Sequence, residues 1–223
     1  MARGKPKIAL GWLIALALAT FAFWLRDEPQ VLKPGHTSRA PGPQWTPGQW
    51  QELTSCRLAK DRNNDGDSFR IAHAGGEHVV RLYFVDCCEK TRHHLNRARL
   101  IEQGAYFGGL DENDVIKIGR KARDEVLSLL EREPFVIFTC WESVYDSGRQ
   151  YAHVMMSLPD GSRQWLCEWL VERGLARIHT KGSILPDGTP EPVFLGRLRA
   201  LEKRARLARR GAWGFVSTTE DRE

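Results

Sequence analysis

No internal repeat runs through these 223 residues, which sets aside solenoids and propellers. The cysteines are odd in number: of Cys56, Cys87, Cys88, Cys140 and Cys167, at least one stays a thiol or pairs between chains. Neighbouring Cys87 and Cys88 cannot join each other without backbone strain, so any bridge takes one of them to a distant partner. The later ligands of an EF-hand loop do not follow the DGD at 65–67, which excludes that calcium motif. The spacing of Cys87-Cys88 and His93-His94 is not that of a zinc site, and the histidine pair reads as a solvated loop. His73, His78 and His153 are scattered and point to no ligand or catalytic role.

Charge is absent from residues 8–25, IALGWLIALALATFAFWL. Such a helix rises about 27 Å at 1.5 Å per residue, close to the hydrocarbon thickness of a bilayer. Arg3, Lys5 and Lys7 precede the run and the mixed Arg26-Asp27-Glu28 follows it. The expectation is a basic cytoplasmic N-terminus (1–7), a transmembrane anchor (8–25) and the remainder outside the cytoplasm. A secretory signal cleaved near Ala17-Leu18-Ala19 is the alternative, giving a secreted or periplasmic protein. Residues 26–49 are rich in proline and glycine and read as a spacer, with Trp45 and Trp50 marking its junction with a domain over 50–217. A polar tail, 218–223, ends the chain. The formal charge of +5 and pI near 9.1 suit a polyanionic partner.

The domain reads as α+β. Turn residues divide SCRLAKDRNNDGDSFRIA into two strands, and Gly75-Gly76 turns the second into a β-branched and aromatic strand over 78–86. A helix is expected over 118–133, with Ala122, Val126, Leu127 and Leu130 on one face and Pro134 closing it. Strands follow at 135–141 and 151–158. Helices then cover 165–173, capped by Gly174, and 193–210, ending at Gly211. Residues 91–114 have no clear period and read as a long loop. About five short strands with helices late in the order suggest a small barrel with packed helices.

Acids surround one strand arginine. Asp65 and Asp67 precede Arg81, and Asp86 and Glu89 follow it. Carboxylates are the ligands of hard cations, and Asp67 and Asp86 could share one ion if adjacent strands, about 4.8 Å apart, align their ends. Glu89 is then free to face a water, and Arg81 offers phosphate a two-point fork. From those residue types alone, an ordinary hairpin with a paired arginine is the leading reading. Glu202 stands alone among Arg197, Arg199, Lys203, Arg204, Arg206, Arg209 and Arg210. That helix face is either solvated or a surface for phosphates or anionic lipid.

The order of motifs resembles the staphylococcal nuclease (thermonuclease) family. DGDSFR and VVRLYFVDCCE are similar to that family's DGDT and its RL strand ending in a glutamate. DSGRQYAHV is similar to its second glycine-arginine motif, SRQWLCEWLVERGLARI to its N-x-x-L-V-x-x-G-L-A helix, and LRALEKRARLARRGAWG to its terminal helix. The resemblance runs discontinuously over roughly 52–215. It implies a five-stranded OB-type barrel with three helices and calcium-dependent hydrolysis of DNA or RNA to 3′-phosphate ends. It also implies roles: Asp67, Asp86 and the Cys87 carbonyl for Ca²⁺, Glu89 for the attacking water, Arg81 and Arg149 for phosphate.

This sequence departs from the family at several points. Cys87-Cys88 replace a small residue and proline, Ser147 replaces an aromatic, and Thr180 stands where an aromatic stacks on the base. Tyr151 is the candidate to supply that stacking. The segment after Glu89 is longer. A catalytically silent module of the same fold, binding nucleic acid or a protein, is the rival reading. A purely structural envelope protein would leave Asp67, Arg81, Asp86, Glu89 and Arg149 unexplained. No obligate protein partner is expected.

Overall fold

The computed structural model describes residues 49–158 and 160–215, so the anchor or signal, the spacer up to Gly48, Trp45 and the polar tail lie outside the described residues. Among the described residues no helix is long and apolar enough to cross a membrane.

The architecture is α+β. Strands β1 (Gln51–Leu58), β2 (Ser68–His73), β3 (Gly76–Leu82) and β4 (Val85–Cys87) come first. Helices α1 (Arg97–Tyr106) and α2 (Glu112–Arg132) precede β5 (Phe135–Thr139), β6 (Arg149–Ser157) and β7 (Arg163–Trp165). Helix α3 (Leu166–Glu172), β8 (Ala176–Ile178), α4 (Glu191–Leu207) and a 3-10 turn, Gly211–Gly214, complete it. Strand β1 pairs with β5 at one end and β2 at the other, across an irregularity between Leu53 and Cys56 that holds Ser55 at φ 55°. One extra residue there turns the strand between two partners. β2 and β3 form a hairpin, β3 pairs in parallel with β6, and β6 pairs antiparallel with β5 and β7. The ladder from β1 through β2, β3, β6 and β5 therefore returns to β1.

Several expectations from sequence change. The strand over 78–86 is two strands: Phe84 adopts φ 69° and the Val85 amide bonds back to the Tyr83 carbonyl. This tight turn sends β4 away to pair with β8 and buries the Tyr83 and Phe84 rings. The loop over 91–114 contains α1 and the first turn of α2. Helix α1 gives no apolar period because its buried face is Leu100, Gln103 and Gly104, while Ile101 is exposed. Helix α2 begins six residues before its expected start because the Asp111 side chain caps the amides of Asn113 and Asp114. Trp165 ends β7 rather than opening α3, β5 stops at Thr139, and β8 escaped notice at three residues.

The core packs Phe69, Ile71 and Leu82 of the sheet against Val126 and Leu130 of α2, Leu170 of α3 and Phe194 of α4. A second cluster, with Cys88, Leu100, Phe107, Ile118 and Trp213, lies beneath α1. Cys56, Cys87, Cys88 and Cys167 are buried without disulfides. His153 of β6 is enclosed by the rings of Trp50, Tyr83, Phe84 and Trp165, with Ser183 Oγ 2.8 Å from its Nε2.

Burial lowers the His153 pKa from 6.5 to about 3. Between those values the unfolded chain binds a proton that the folded chain refuses, so this residue costs stability as pH falls. Relative to His153→Gln, the wild type should lose up to about 1.4 kcal/mol per pH unit across that window. Urea midpoints between pH 4 and 7 test this; a gap independent of pH would refute it.

Candidate functional site

Arg81 lies on β3 opposite Ser68 of β2 and beside Tyr151 of β6, so its backbone is held on both flanks by ladders. It is buried, and it is paired: Nη1 meets Asp67 Oδ1, and Nη2 lies 2.6 Å from Asp86 Oδ1. Asp67, just before β2, takes the Cys87 amide on its other oxygen. Asp86 on β4 faces Arg177 on β8 in register, and Arg177 Nε donates to Asp86 Oδ2 at 2.8 Å. The fold thus gathers Asp67, Arg81, Asp86 and Cys87 as the sequence suggested.

Helix α1 adds residues the sequence reading missed. Arg99 donates from Nη2 to Asp86 Oδ1, and its Nε forms an ion pair with Glu89 Oε1 at 2.9 Å. Gln103, with 0% exposure, donates to Asp86 Oδ2 and the Cys87 carbonyl and accepts the Glu89 amide at 2.9 Å. Asn96, at the start of the same helix, donates to Glu89 Oε2 at 3.1 Å. Spacings of three and four put Asn96, Arg99 and Gln103 on one helical face. That polar stripe was the available signal. Glu89 also sits on a turn pressed against α2: a Cβ on Gly119 would stand 2.4 Å from the Cys88 carbonyl oxygen. Gln103 and this close approach fix the turn at Cys87-Cys88.

Arg149 opens β6 and lies level with Val79 of β3. Its contacts are hydroxyls, Ser147 Oγ at 3.1 Å and Ser68 Oγ at 3.3 Å, and among the described residues it makes no ion pair. Two clefts share Arg81, Arg99 and Arg149 in their walls. One, of about 440 Å³, is also lined by Asp65, Asp67 and Glu89. The other, of about 700 Å³, is edged by Tyr145, Arg177, His179 and Lys181. Tyr151 reaches this second cleft but is itself buried and stacked on Tyr83. Tyr145, 87% exposed, is the aromatic that stands free at its edge. Thr180 turns its hydroxyl to the carbonyls of Leu82 and Val85.

The charges divide unequally. Burial pushes the Asp67 carboxyl up, against the pull of Arg81, and Asp86 and Asp65 add to the rise. Burial acts on Asp86 too, but Arg99 and Arg81 outweigh it and hold that carboxyl below its ordinary range. One guanidinium serves two acids, and only the acid with extra arginines stays low. Burial, then Arg81 and Arg99, make Arg149 less willing to carry its charge. Burial pushes the Cys87 thiol well up, which removes it as a thiolate nucleophile.

The calcium ligands implied by the resemblance do not fit an ion as they stand. Both Asp86 oxygens hold two donors each, both Asp67 oxygens hold one, and the Cys87 carbonyl is taken by Gln103. Among the described residues no group of three His, Cys, Asp or Glu is arranged to hold a metal.

Gln103→Leu should strand the Glu89 amide and the Cys87 carbonyl and cost about 1–3 kcal/mol. A lowered urea midpoint at unchanged slope is the expected reading; an unchanged midpoint would mean the turn stands without it. No protein-family model matches the chain, and no curated protein matches it.

Proposed function

We propose that this domain binds nucleic acid and hydrolyses its phosphodiester bonds, as the resemblance to the thermonuclease family implies. The observation that carries the reading is Arg149, a half-buried guanidinium without an acid partner among the described residues, in clefts it shares with Arg81 and Arg99. A cation so arranged calls for an anion, and a guanidinium fork matches phosphate. The finer fold belongs to the same proposal: the closed path β1-β2-β3-β6-β5 reads as a five-stranded OB-type barrel carrying the helices.

In this reading the phosphate lies between Arg81 and Arg149, which stabilise charge on its oxygens as it grows in the transition state. Water attacks phosphorus, its proton passes to Glu89, and the P–O5′ bond breaks. The products are a 3′-phosphate and a 5′-oxygen protonated by solvent. Glu89 lines the smaller cleft with both arginines, which supports its role as base. The chain is proposed to act outside the cytoplasm, tethered through 8–25 or released after signal cleavage. A second reading, a silent nucleic-acid-binding module, has one observation in its favour: both Glu89 oxygens are already engaged, Oε1 in an ion pair with Arg99 and Oε2 by the Asn96 amide.

Digestion of plasmid DNA and RNA by the full chain, with calcium and with chelator, tests the proposal. Arg149→Lys should lower kcat/KM by about 100-fold or more through loss of the fork. Glu89→Gln should cut turnover by about 100-fold or more while oligonucleotide binding persists. A folded chain that degrades neither substrate under either condition sinks the enzyme reading; if it still binds oligonucleotide, the silent module stands.

A further inference from the structure

Asp86 makes the wrong company for a metal ligand. A carboxylate presents about four lone-pair positions. Here Arg81 and Arg99 take Oδ1, and Arg177 and Gln103 take Oδ2. Calcium needs six to eight oxygens around it. An ion reaching Asp86 would have to expel a donor and then stand among three guanidinium groups.

Two of those groups are not easily moved. Arg81 is fixed between two ladders, and Arg177 is buried, faces Asp86 in strand register and is also held by Glu102 at 3.0 Å. Arg99 differs: its side chain is 42% exposed, it arrives from α1, and it lines both clefts. It also ties Asp86 to Glu89, the two residues that an ion and its bound water would otherwise link.

We infer that Arg99 and Arg177 occupy, in charge and in position beside Asp86, the role of a divalent cation, so that this site handles phosphodiesters without a metal. Together they bring two positive charges. Arg177 neutralises the buried acid, and Arg99 is the one able to turn from Asp86 toward a phosphate oxygen. Electrostatic stabilisation of a phosphoryl transition state is supplied by arginine as well as by metal ions. The inference rests on the phosphodiester reading for its substrate, but not for its claim about calcium.

The tests use the full chain and separate the two. Thermal unfolding is followed with millimolar Ca²⁺ and with EDTA, and binding of a short oligothymidylate is measured in EDTA. The wild type should show no saturable rise of Tm with Ca²⁺ and should bind the oligonucleotide in EDTA. Arg99→Gln, chosen because Arg99 is half exposed, should weaken that binding by about tenfold, or about 1.4 kcal/mol. A saturable Ca²⁺-dependent Tm rise in the wild type overturns the inference, and so does cleavage that requires Ca²⁺, which would leave the nuclease reading intact. Oligonucleotide binding unaltered in a folded Arg99→Gln variant overturns the role of Arg99. Binding in EDTA without cleavage under any condition keeps the charge replacement and removes the enzyme.

Discussion

One guanidinium between two acids organises this domain. Arg81 joins Asp67, at the mouth of β2, to Asp86, on β4, from its own place on β3. Removing one member of a buried charge pair costs about 3–5 kcal/mol, because the other is left without compensation. The bond between the Leu82 amide and the Asp67 carbonyl and that between the Cys87 amide and Asp67 Oδ2 close the same triangle from the backbone. With β4 so anchored, β8 can pair with it and bring Arg177 to Asp86.

From that anchor the charge balance follows. Asp67 and Asp86 are satisfied within the protein, and Glu89 is held by α1. Among the described residues lining these two clefts, Arg149 is the arginine with no ion pair. A fold that satisfied every charge internally would have nothing to offer a ligand. Here the surplus is positive and half-buried, with an exposed tyrosine at the edge of the larger cleft.

How much of this the sequence disclosed depended on which residues face inward. Helix α2 was legible because Ala122, Val126 and Leu130 repeat along its buried side. Asp67, Arg81, Asp86, Glu89 and Arg149 were legible from their order, and they do converge. Helix α1 was not, since its inner face is a leucine, a glutamine and a glycine, and polarity periods are not read as helices. Arg177 hid in a three-residue strand, too short to declare itself. The break at Phe84 was invisible because a positive φ at an aromatic residue has no compositional sign. The calcium expectation followed from the resemblance; what sequence could not supply was how many donors each acid had already met.

The parallel ladder between β3 and β6 has a temporal consequence. Val79 and Arg149 are neighbours in space yet 70 positions apart along the chain. Bringing such distant segments together carries a loop-closure cost, and non-local pairings of this kind form slowly. A growing chain therefore displays all four acids, and Arg81 among them, long before Arg149 exists. The two clefts come into being only with the last third of the polypeptide, so a chain cut short of Arg149 lacks them however well its first hairpin forms.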